Sequence, residues 1–128
     1  MKGSDLKNLD KNIWIEAEVW AEGQWDIEDV NTDVIVTFSN RMKWIASFFT
    51  YKNIQTRIDE NKRSGECMDG AYYWSSDMVL IDSGSKERIL EVIHYLLETD
   101  KFQDVFKRYS DVEPEYDEYY PIGFFNDH

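Results

Sequence analysis

Between Asp33 and Ile54 the chain reads DVIVTFSNRMKWIASFFTYKNI. Val34, Val36 and Phe38 alternate with Ile35 and Thr37. After the polar break Ser39-Asn40-Arg41, residues Met42, Trp44, Ala46 and Phe48 alternate with Lys43, Ile45, Ser47 and Phe49. Two period-2 runs of β-branched and aromatic residues around a polar turn predict a β-hairpin. The second run is apolar on nearly both faces, as in a strand covered on both sides and central in its sheet. Thr50 can then cap a helix over Tyr51 to Ser64 that Gly65 stops. Ile54 and Ile58 face inward on that helix. Lys52, Arg57, Lys62 and Arg63 make its outside basic, and the last two also suit the C-terminal end of the helix dipole.

The remaining elements are arranged around this unit. Residues 1–11 read as a loose leader in which Leu6 and Leu9 are placed to dock on the domain. Ile13 to Trp20 alternates as a strand, with Ile15, Ala17 and Val19 on one face and Glu16, Glu18 and Trp20 on the other. Trp14 and Trp20 are expected under a neighbouring loop or helix. Ala21 to Thr32 is a loop and Glu66 to Gly70 a turn. Tyr72 to Ile81 reads as a strand that is marginal in its first half and central in its second. Ser85 caps a helix to about Glu98 with a stripe of Ile89, Val92, Ile93, Leu96 and Leu97. A short helix to about Tyr109 follows, with Phe102, Val105, Phe106 and Tyr109 inward. The fold class is therefore α+β: an antiparallel sheet of about four strands in the order β-β-β-α-β-α-α, with helices mainly on one face. One domain, 12–109, is flanked by the leader and by an acidic, aromatic tail, 110–128.

Charge narrows the partners. The chain of 128 residues holds 26 acidic against 14 basic side chains, a formal net charge of -12. Such a field repels phosphate backbones and anionic membranes and attracts basic proteins. The acids are concentrated at the ends: residues 1–33 carry nine acids against three lysines, and residues 110–128 carry six acids and no Lys or Arg. Cys67 is the only cysteine, which excludes an intrachain disulfide and fits a reducing, cytoplasmic setting. Nothing resembles a signal peptide or a membrane span.

Catalytic and metal patterns are missing. Cys67 and the histidines His94 and His128 have no motif that brings them together as nucleophile and base. They are also too few and too scattered for zinc. Read as an EF-hand from Asp26, the sixth and twelfth positions fall on Asn31 and Thr37, where glycine and glutamate are required. There is no Gly-rich phosphate loop. Glu16 and Glu18 share a predicted strand face, which is the pattern of a solvated surface. The chain is expected to be no enzyme and to hold no cofactor or metal.

Four stretches together resemble the small acidic immunity proteins of bacterial polymorphic and contact-dependent toxin systems: NIWIEAEVWAEG, NTDVIVTFSNRMKWIASFFTYKNI, CMDGAYYWSSDMVLID and RILEVIHYLL. They cover about Asn12 to Leu97, and the likeness lies in size, element order and acidity. It implies a protein that neutralises a cognate toxin, often a basic nuclease, by covering it. Such families diversify their binding surfaces, so no residue role carries over, and the tail lies outside the likeness.

Tyr and Trp set among acids are suited to an interface with a basic partner. That composition singles out Trp25, Asp26, Glu28 and Asp29 in the loop, and Glu115, Asp117, Glu118, Tyr119 and Tyr120 in the tail. The acids are expected to supply charge, with Trp25, Tyr119 and Tyr120 as anchors. Two other classes fit the same totals. A nucleic-acid mimic inhibiting a DNA-binding enzyme needs acids along a duplex-like stripe. A small-molecule domain lined by Trp14, Trp44, Tyr73 and Trp74 needs a deep pocket.

Overall fold

A computed structural model describes residues 6–109. The predicted hairpin is present as β2 (Asn31–Phe38) and β3 (Lys43–Thr50), paired antiparallel with Ile35 opposite Ile45. Along β2 every second residue is buried, as the alternation requires. Arg41 takes a left-handed φ of 72° in the connecting turn. β1 (Lys11–Ile15) adds to the free edge of β2. Thr50 accepts a bond from the Asn53 N–H and starts α1 (Tyr51–Ser64), which Gly65 ends at φ 87°.

After α1 the chain returns as β4 (Met78–Ile81), and β4 lies parallel to β3. The rest of the sheet is antiparallel. A parallel pair needs a crossover connection of about a dozen or more residues, and the helix in between supplies one. Among the described residues β4 pairs only with β3, so there it is an edge strand and not a central one. The central strand is β3, which meets β2 on one side and β4 and β5 (Lys107–Tyr109) end to end on the other.

Three predicted elements are shorter or different. The strand expected over Ile13 to Trp20 ends at Ile15, and Glu16–Val19 forms a single 3-10 turn. Pairing with β2 ends at Ile15 and Val34, and the Ala17 N–H donates instead to Thr32 Oγ1 at 2.9 Å. Tyr72 to Asp77 is irregular, because Tyr73 packs edge-on against Phe49 at 5.8 Å and does not follow a ladder. The last helix stops at Val105 (α3, Phe102–Val105), following α2 (Lys86–Glu98), and the chain then turns into β5.

The core lies between one sheet face and the helices α2 and α3. Ile15, Val34, Val36, Phe38, Ala46 and Phe48 meet Ile89, Ile93, Leu97, Phe102 and Phe106. Phe102 anchors the far end. It stacks on Phe106 at 4.4 Å and receives Phe38 and Trp44 edge-on at 5.5 and 5.8 Å, geometries that aromatic quadrupoles favour. Leu6 is 0% exposed within this core, with Leu9 packed against it. Ile54 and Ile58 are only half-buried, and the one buried residue of α1 is Asn53.

Between α1 and β4, a helical turn over Glu66–Gly70 holds Cys67, Met68 and Asp69 at φ 52°, 53° and 60°. Left-handed backbone costs about 1–2 kcal/mol per ordinary residue. Gly70 closes the turn against α1, where a Cβ would lie 2.8 Å from the Ile58 carbonyl oxygen.

Candidate functional site

The acidic loop between the 3-10 turn and β2 is the best-formed candidate surface among the described residues. Its composition suggests a solvated coil, yet it is tied to the body at several points. Trp25 donates its indole N–H to the Gly84 carbonyl at 3.0 Å, and the Gly84 N–H donates to the Ile27 carbonyl at 2.7 Å. Val30 and Thr50 exchange backbone and hydroxyl bonds, with Val30 N–H donating to Thr50 Oγ1 and Thr50 N–H to the Val30 carbonyl. Asp29 accepts from Asn53 Nδ2 and from Thr56 Oγ1, both at 2.8 Å. Those two bonds, Asn53 first, hold the Asp29 carboxyl below its usual range. Asn53 also accepts from Asn31 Nδ2, so a buried asparagine joins helix, strand and loop.

Gly84 makes the close approach possible. A Cβ at that position would lie 2.3 Å from Val30 Cγ1. On the other flank, Glu18 pairs with Lys86 at 2.8 Å and raises the lysine's pKa. Glu16 accepts from the Asp33 N–H. These two glutamates therefore brace the loop and do not lie side by side on a strand.

What the loop presents to solvent is acidic and apolar together. Asp26 and Glu28 are exposed, with Ile27 between them 45% exposed. Glu22 and Val19 are exposed nearby in sequence. Among the described residues no ion pair joins Glu22, Asp26 or Glu28. Asp26 does accept the Glu28 N–H at 3.0 Å, which stiffens the tip.

The predicted site residues thus divide. Asp26 and Glu28 stand where a partner can reach them. Trp25 is half-buried, packs on the core and spends its N–H on Gly84. Asp29 is turned toward α1. Glu115, Asp117, Glu118, Tyr119 and Tyr120 lie outside the described residues. Exposed Ile27 was not among the expected contacts, although its place between two acids marked it.

The aromatic pocket does not form. Trp14 and Trp44 occupy opposite faces of the sheet, Tyr73 packs on Phe49, and Trp74 is 68% exposed. A shallow open hollow of about 260 Å³ is lined by Asp10, Lys11, Asn12, Thr37, Phe38 and Ser39 and contains none of them. Among the described residues no three His, Cys, Asp or Glu side chains come together as a metal site. No helix there is long and apolar enough to cross a membrane. His94 is exposed on α2, while Cys67 is half-buried in the left-handed turn. No protein family, no curated protein and no solved structure matches this chain.

Proposed function

We propose that this protein is an immunity or inhibitor protein that binds a basic partner, a cognate toxin domain, and neutralises it by covering it. The reading assigns it no catalysis of its own and a place in the cytoplasm. Its main support is the pinned loop, which is held at Gly84, Thr50, Asn53 and Thr56 yet projects Asp26, Ile27 and Glu28. A surface ordered before binding loses less conformational entropy on association. Acids around it accelerate encounter with a positive partner, and Ile27 offers an apolar contact at their centre. The net charge of -12 acts in the same direction, and Glu115, Asp117 and Glu118 of the tail add to that field.

The test is capture from a lysate of the source cells with tagged full-length chain, washed at low and then high salt. The reading predicts one basic protein retained at low salt and released at high salt. It also predicts that Glu22→Gln/Asp26→Asn/Glu28→Gln, which keeps the Asp26 acceptor, retains much less of it. Equal retention by wild type and this variant would refute the assignment of the loop.

A further inference from the structure

One face of the sheet carries the core, and among the described residues part of the other holds a partly exposed apolar row. Trp14, Ile35, Ile45 and Lys107 stand opposite one another in register across β1, β2, β3 and β5. Trp14 is 40% exposed, and Trp14, Ile35 and Ile45 lie outside the core cluster. The same face is occupied at its other end, where Phe49 is buried against Tyr73 and Asn31 bonds to Asn53 of α1.

We propose that this partly exposed end is the docking site of the chain's own C-terminal segment, residues 110–128. β5 ends at Tyr109, opposite Lys43 on this face, so the segment starts beside Lys43, two residues along β3 from Ile45. Its 19 residues reach roughly 60 Å when extended, and crossing from β3 to β1 takes only about 10 Å. Its chemistry is complementary. Tyr119, Tyr120, Phe124 and Phe125 match an apolar row, and six acids with no Lys or Arg suit a margin that carries Lys43 and Lys107. Docking in this way uses Tyr119 and Tyr120 on the chain's own sheet and leaves the tail acids at the rim. The inference does not rest on the proposed partner, because it concerns the isolated protein.

A nitroxide on Asn126→Cys, in a Cys67→Ser background of the full chain, tests it by paramagnetic broadening in NMR. The Trp14 indole and the Ile35 and Ile45 amides should lose most of their intensity, while Glu91 and Tyr95 on the outside of α2 keep theirs. Labelled chain without ¹⁵N, mixed with unlabelled ¹⁵N chain, should give no broadening. Replacing Tyr119, Tyr120, Phe124 and Phe125 by Ser should abolish the effect. The inference fails if the outer face is never broadened, if broadening survives the serine variant, or if it appears in the mixed sample and so belongs to a second copy.

Discussion

Gly84 and Asp29 hold the acidic loop from opposite sides, and each gives a prediction at the scale of a single residue. Gly84→Ala places a methyl 2.3 Å from Val30 Cγ1. Overpacking of this kind costs about 1–3 kcal/mol. Urea unfolding should show a lower midpoint with an unchanged slope. Asp29 has its carboxyl pKa lowered by Asn53 and Thr56. Its folded value lies below the unfolded one of about 3.9, so its contribution is complete above that pH and is lost as pH falls through the folded value. Asp29→Asn should therefore be less stable than wild type at pH 7. The gap in urea midpoints should shrink as the medium is acidified through pH 4. A gap independent of pH would show that the charge of Asp29 is not what the two donors hold. Neither role was legible beforehand. Asp29 meets partners 24 and 27 residues away, and Trp25 meets Gly84 at a separation of 59. Local pattern carries no trace of such contacts, and an acid or a Trp in a polar loop looks free.

Elements with strong local signals were legible, and those decided by distant packing were not. Strict alternation placed β2 and β3, while Thr50, Gly65 and Ser85 marked the helix ends where the caps are found. The alternation of Ile13 to Trp20 and of Tyr72 to Ile81 ran past the true strands, because Thr32 and Phe49 draw Ala17 and Tyr73 away from the ladder. β5 has three residues, two of them charged, too few to show a period. Thr50 belongs to this scale because it serves two elements at once. Its hydroxyl caps α1 and accepts the Val30 N–H. Thr50→Val should cost about 1–2 kcal/mol for the cap, plus the penalty of an orphaned buried donor. Amide exchange should quicken at both Asn53 and Val30. Faster exchange at Asn53 alone would mean that the loop is held without Thr50.

Across the described residues, exposed acidic charge and a loop hydrogen-bonded to the body coincide at one surface. The described residues 6–109 hold 19 acids and 13 bases and the tail six more acids, so the field is not confined to the tail. Glu22, Asp26 and Glu28 project from a loop that several bonds to the body hold in place, and residues in one surface patch steer encounter together. The most direct test is the association rate of full-length protein with its captured partner across a series of salt concentrations. The wild type and Glu22→Gln/Asp26→Asn/Glu28→Gln are compared. The account predicts that wild-type association slows steeply with salt, and that the variant is slower at low salt with a flatter dependence. Identical rates and slopes for the two proteins would contradict it and move the interface away from this loop.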